Sequence, residues 1–173
     1  MKTLFTRRSI RKYNQELNIE DEKIDKLLKA ACQAPGSRLG SEPWEFIVVR
    51  NKETLKKLSE MSPNAKLVAK ANVAIVLLAN MDRVHYPLVW QQDMSAAATN
   101  ILNEAAYLGL GGVWIGTAPV EERMNYLSKL FGLKDNIRPF NIISLAYPAE
   151  GEENKFIDKY DASRVHYEKY KSD

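Results

Sequence analysis

Apolar residues recur at helical spacing in some windows of the chain and run together in others, and the changes of period mark the elements. Asn18 is a candidate N-cap, with Glu20, Asp21 and Glu22 in the first turn, and Ile24, Leu27, Leu28 and Ala31 follow at helical spacing. That pattern predicts a helix to about Gln33, ended by Pro35 and Gly36. Trp44 to Arg50 (WEFIVVR) is rich in aromatic and β-branched residues, as a strand requires. Asn51 caps a second helix with Leu55, Leu58 and Met61 inward. Val73 to Ala79 (VAIVLLA) is apolar at every position, which predicts a central strand covered on both faces.

The longest helical pattern runs from Pro87 to about Leu108, and its alanine cluster (Ala96, Ala97, Ala98) lets another backbone come close. Val113 to Ile115 reads as a short strand, and Glu121 to Phe131 as a helix stopped by Gly132 in the left-handed conformation. Phe140 to Ala146 (FNIISLA) is the last strand. The remainder, Tyr147 to Asp173, is polar with interspersed aromatics and has no core of its own, so it must pack on a neighbouring subunit or on its own domain. Helices alternating with about four strands give an α+β or α/β layered domain.

At 173 residues the chain is long enough for one domain, and no repeat or Ser/Gly linker divides it. With 45% apolar and 27% charged residues it is neither disordered nor fibrous. Twenty-five Lys and Arg against 22 Asp and Glu leave +3, too little and too dispersed to imply a nucleic-acid partner. The longest apolar run, Val73 to Ala79, is far too short to span a bilayer, so no membrane association is expected. The single cysteine, Cys32, cannot form an internal disulfide and fits a reducing cytoplasm. Cys32 reads as a small buried residue beside Leu28, while His85 and His166 are isolated and cannot supply a zinc site.

Side-chain catalysts are scarce. The chain has no GxSxG elbow, HExxH helix or Walker-type GxxxxGK[ST] loop. The run GLGGVWIG (109 to 116) fails as a dinucleotide loop because Trp114 stands where GxGxxG requires glycine. The N-terminal RRSIR, residues 7 to 11, is more informative. In an extended segment Arg7, Ser9 and Arg11 point to one side, presenting two guanidinium groups and a hydroxyl that suit a phosphate monoester, although a solvated basic stretch would look the same.

RRSIRKY does not stand alone. APGSRLGSEPWEFIVV (34 to 49), QDMSAAATNILNEAAYLGLGGVWIG (92 to 116), PVEER (119 to 123) and SLAYPAE (144 to 150) follow it in order. The series resembles the FMN-dependent nitroreductase family over nearly the whole chain. The resemblance implies an α+β three-layer sandwich, a central mixed sheet flanked by helices, formed by residues 1–173 as a single FMN-binding domain. It also implies an intertwined homodimer with FMN at the subunit interface and a C-terminal extension, about 150–173, packed on the partner.

By the same resemblance Arg7, Arg8 and Ser9 match contacts to the FMN phosphate and ribityl chain, and Arg11 matches the cation at the flavin N1 and O2 edge. Such a cation has a physical rationale, since reduction places negative charge there. Pro35, Gly36 and Ser37 lie on the loop that covers the partner's flavin. Here that loop has Gly40 and Glu42 where the family has asparagine and glutamine, and one residue more, which makes Arg38 a candidate for the substrate pocket. Trp114, Ile115 and Gly116 match the strand end along the flavin ring, with the Gly116 N–H toward N5. Lys159 occupies the place of a phosphate-binding arginine in the tail, with Arg164 as the second choice, and Ala146 replaces a glycine. Asp93 and Asn100, seven apart on one helix face, read as structural.

The activity implied is an oxidoreductase that moves a hydride from NADH or NADPH through flavin N5 to an electron-poor small-molecule acceptor, a nitroaromatic, a quinone or a flavin, in a ping-pong scheme. A dehydrogenase or dehalogenase of the same family, or a dimer that stores or senses FMN, are the alternatives. The cofactor would carry the chemistry, consistent with the absence of a side-chain catalyst.

Overall fold

The computed structural model describes residues 2–37 and 40–170. Its sheet has four strands, β1 (Trp44–Val49), β2 (Val73–Asn80), β3 (Gly111–Gly116) and β4 (Ile137–Ala146), in the order β1-β2-β4-β3. All three ladders are antiparallel, which corrects the expectation of a mixed sheet. Parallel pairing enters only through the bridge between Ser9 and Gly112, where the N-terminal segment runs along the outer edge of β3.

Among the described residues there are five α-helices, α1 (Lys2–Thr6), α2 (Asp21–Ala31), α3 (Lys52–Ser59), α4 (Trp90–Tyr107) and α5 (Glu121–Phe131); α2 to α5 flank the sheet and α1 packs on α4. The alternation of β2 divides the core into its two halves. Val73, Ile75, Leu77 and Ala79 face α2 and α4, whereas Ala74, Val76 and Leu78 face α3, α5 and the 3-10 turn Pro63–Lys70. Both faces being covered explains why β2 lacks any polar alternation, and the sandwich has the three layers expected. Each fully buried Ile or Leu, such as Ile75, Leu77, Ile142 and Ile143, contributes about 1.5–3 kcal/mol of transfer free energy.

Several element boundaries differ from the sequence reading, for physical reasons. Helix α2 starts after Glu20 rather than Asn18, because Ile19 is buried and packs in the same cluster as Ile24, five residues on, as a hydrophobic staple that fixes the chain's entry. Helix α4 begins at Trp90, whose ring lies edge-on to Phe140 in the core, and not at Pro87. Strand β4 begins three residues earlier than expected and accommodates Pro139 at a bulge opposite Leu77 and Leu78, where no ladder N–H is required. Helix α5 ends as predicted, with Gly132 at φ 60°. Among α4's alanines, Ala97 and Ala98 are fully buried, and Asn100 Nδ2 donates to Ala30 O of α2 at 3.1 Å across the close contact. Cys32, expected inside, is exposed at the C-cap of α2, where the helix has already turned its last buried residue, Ala31, inward.

The tail leaves the domain in stages. Tyr147 to Ala149 pair with Lys12 to Asn14 through Asn14 N to Tyr147 O and Ala149 N to Lys12 O. Beyond Lys155 the hydrogen bonds of Tyr160, Ser163, Arg164, Val165 and Lys169 are made within the tail. Phe156, Tyr160, Tyr167 and Tyr170 are 60 to 81% exposed. The chain exposes 10715 Å², against ~8,600 Å² for a compact monomer of this size, and the outlying tail accounts for the direction of the difference. No helix of the described residues is long and apolar enough to cross a membrane.

Candidate functional site

Strand β3 lies at one edge of the sheet, so every second residue turns its backbone N–H and C=O away from β4. Ile10 N donates to Gly112 O at 3.2 Å, which identifies Gly112 as one of the outward-facing residues. Alternation then places the backbone groups of Trp114 and Gly116 on the same outer edge. Gly116 O accepts from Arg123 Nη1 of α5 at 2.9 Å. The N-terminal segment covers only the start of the edge, and past it a cleft of about 540 Å³ opens along Trp114, Ile115 and Gly116.

Arg11 stands on one wall of this cleft, and Asn64 and Lys66, from the 3-10 turn Pro63–Lys70, on another. Arg123 closes the end beyond Gly116. Three cations and no Asp or Glu line the cleft, so its potential is positive and suits an anionic ligand. A Cβ placed on Gly116 would meet nothing within 4 Å, which leaves room for a ligand against the backbone. On the opposite face of β3, Trp114 is held by an edge-on contact with Phe140 at 5.3 Å between ring centroids, which anchors the end of the strand. Another hollow, of about 420 Å³ between α1, α2 and α4, has Glu104 but no cation among its lining residues. No group of three or more His, Cys, Asp or Glu among the described residues could hold a metal ion.

Arg11 is steered by the extended backbone from Ser9 onward. Ile10 is buried while Ser9 and Arg11 are exposed, the period-two alternation expected of this segment. Arg11 Nη1 also donates to Ser9 O at 3.2 Å. Two residues on, Tyr13 is buried with its hydroxyl donating to Ser144 Oγ at 2.9 Å. Burial pushes this phenol up to about 12, against smaller opposing effects of the Ser144 bond and the Arg11 charge.

Four of the sequence-derived residues, Arg11, Trp114, Ile115 and Gly116, therefore meet around one cleft. Arg7 and Ser9 lie on the adjoining segment outside its lining, Arg7 half-buried with its N–H on Thr3 O. Arg8 is engaged elsewhere: Nε donates to Lys155 O, Nη1 to Arg7 O and Nη2 to Phe5 O, each at 2.7 Å. Pro35, Gly36 and Ser37 sit on a loop tied to α4, where Asp93 accepts from both Ser37 N and Ser37 Oγ at 2.8 Å. Asp93 and Asn100 are thus engaged with the chain's own loop and α2. Arg38 lies outside the described residues. Lys159 is exposed on the tail, and Arg164 is paired with Asp161 at 3.1 Å; neither reaches the cleft within one chain.

The sequence reading missed Asn64, Lys66 and Arg123. A signal for the first two exists, since Ser62 followed by Pro63 is a helix-start pair, and the structure has Ser62 at the N-cap and Pro63 in the first turn. Arg123 stands in the PVEER run with no spacing signal of its own, since its contact with Gly116 O joins α5 to β3.

Comparison with known proteins identifies the family and agrees with the fold. The model of the "Nitroreductase family" matches residues 4–76 and 61–147. A protein of Archaeoglobus fulgidus provisionally named NADH dehydrogenase/NAD(P)H nitroreductase is 44% identical over 172 residues, 98% of each chain. A crystal structure from Clostridium acetobutylicum, provisionally named an NADH oxidase, superposes with a TM-score of 0.93 at 52% identity, covering 97% of this chain and 99% of that one. An FMN-dependent nitroreductase from Clostridium difficile superposes with a TM-score of 0.87 at 35% identity, covering 97% and 98%. With its layered sandwich and these matches in agreement, the chain belongs to the nitroreductase family.

Proposed function

We propose that the chain binds FMN in the cleft beside β3 and acts, as a pair of identical subunits, as an oxidoreductase passing electrons from NAD(P)H to a small electron-poor acceptor. The observation that carries this reading is the cleft itself: outward backbone groups at Trp114 and Gly116, open space above Gly116, and Arg11, Lys66 and Arg123 with no carboxylate among them. The donor set fits a flat, phosphorylated ligand, with backbone N–H for a ring acceptor and guanidinium and ammonium groups for anionic charge. FMN, when bound, supplies reversible two-electron transfer, for which no side chain of this chain is equipped.

The chain's own residues bind, orient and screen. Arg11 and Lys66, from different segments, hold positive charge along the cleft, and that charge favours a ligand whose negative charge grows on reduction. Leu67, Val113 and Ile115 give the cleft an apolar lining that excludes water from one side. Arg123, fixed on Gly116 O, holds the end of β3 in place. The Pro35 to Ser37 loop and the tail bearing Lys159 lie outside the lining of their own cleft, as they would if they served the partner's. A single open cleft that serves donor and acceptor in turn is the basis for the ping-pong scheme.

Anaerobic titration of the FMN-loaded protein with NADH and then NADPH tests the reading. Bleaching of the flavin absorbance, followed by steady NAD(P)H oxidation when menadione or nitrofurazone is added, is expected. Flavin that binds and is never reduced would identify a flavin-holding protein instead.

A further inference from the structure

The exit of the C-terminal tail is built into the segment that leads to Arg11, and one side chain makes the joint. Ile10 N donates to Gly112 O, the rung that sets the N-terminal segment parallel to β3. Two residues back on each strand, the next rung would join Arg8 N to Leu110 O. Neither group meets the other. Arg8 N donates to Asn154 Oδ1 at 2.8 Å, and Asn154 Nδ2 donates to Leu110 O at 3.0 Å. The Asn154 carboxamide stands in for the missing rung, a task that needs one acceptor and one donor on the same short side chain.

Arg8 completes the joint from the other side. Its Nε donates to Lys155 O, while Nη1 and Nη2 hold Arg7 O and Phe5 O at the end of α1. Lys12 pairs with Glu152 at 3.3 Å further along. Beyond Lys155 the tail's apolar side chains, Phe156 first, are exposed.

We infer that Asn154 and Arg8 are positioning residues forming a hitch, which fixes the direction in which the tail leaves the domain and so presents its aromatic residues to a second copy of the chain. Arg8 on this account acts on the tail rather than on a phosphate, because its donors are committed to three backbone carbonyls that lysine could not span together. The part concerning the second copy rests on the paired-subunit reading above; the hitch itself does not.

Limited trypsin digestion of the full-length protein tests it, following cleavage after Lys155 and Lys159, with cleavage after Lys129 in α5 as the internal control. Asn154→Leu and Arg8→Lys are each expected to speed tail cleavage at least tenfold while the control changes less than twofold, and the double variant to be no faster than either single one. Sedimentation should show subunit dissociation strengthened at least tenfold in the same variants. Tail cleavage unchanged in both single variants would overturn the hitch, as would additive effects in the double variant. So would an Arg8→Lys protein that keeps its tail protected and loses FMN affinity. Accelerated cleavage in a protein that is monomeric throughout would uphold the hitch and remove the paired-subunit reading.

Discussion

The backbone N–H and the hydroxyl of Ser37 both donate to the Asp93 carboxylate, one to each oxygen, at 2.8 Å. Asp93 is almost fully buried in the first turn of α4, so this pair pins the 34–44 loop to the helix that also packs against α2. Hydrogen bonds to a charged group contribute about 1.5–3 kcal/mol each. Asp93→Ala should therefore cost roughly 3 kcal/mol, and Ser37→Ala, which removes one of the two bonds, about half of that. Urea unfolding with an unchanged slope and a lowered midpoint is the expected result.

Gly36 shapes the same loop. A Cβ there would stand 1.9 Å from the Ser41 carbonyl oxygen, and Ser41 N already donates to Ser37 O at 2.9 Å. Gly36→Ala must open this turn, since the obstacle is backbone. A loss of about 2 kcal/mol is expected, which lowers Tm by roughly 4–8 °C for a domain of this size. A calorimetric scan checks it.

Gly116 gives the opposite expectation, because a Cβ there meets nothing in the folded chain. Gly116→Ala should leave Tm within about 2 °C. It should weaken FMN binding roughly tenfold or more, about 1.4 kcal/mol, because the added methyl takes space the ligand uses. Melting and flavin titration on the same sample separate the two effects.

Tyr13 makes stability depend on alkaline pH. Its hydroxyl has a folded pKa raised to about 12 by burial, above the ordinary value of 10.0. The unfolded chain therefore loses this proton first. The contribution of Tyr13 is complete below pH 10 and is lost as pH rises from about 10 through 12, by up to roughly 2–3 kcal/mol. Tyr13→Phe should flatten that part of the profile relative to the parent chain, in urea unfolding measured between pH 9 and 12.

Periodicity was sufficient for the layers. The strands around Trp44, Val73 and Phe140 and the helices carrying Leu27, Leu58 and Leu127 each bury one stripe or both faces, and such burial is written locally. What periodicity could not supply was tertiary. Cys32 follows Ala31 by one residue, and only the contact of α2 with α4 decides which of them turns inward. The fingerprint around RRSIR singled out Arg11, which the structure places on the cleft wall, yet the same five residues give no hint that Arg8 holds the carbonyl of Lys155, 147 residues away. Lys66 lies on a 3-10 turn, which leaves no 3.6-residue pattern, so the Ser62-Pro63 start is the signal that marks it. The loop at Ser37 and the tail at Lys159 stay apart from the cleft in one chain, Ser37 being tied to Asp93 and Lys159 lying exposed, and no local pattern in the sequence fixes either placement.

Titration of FMN fluorescence with the purified apo-protein tests the central claim most directly, with Arg11→Ala and Lys66→Ala run beside the parent chain. The expected result is quenching that saturates at one FMN per chain, with each variant binding at least tenfold more weakly and melting as the parent does. Absence of quenching, or binding that neither substitution affects, would contradict the assignment of the β3 cleft as the cofactor site.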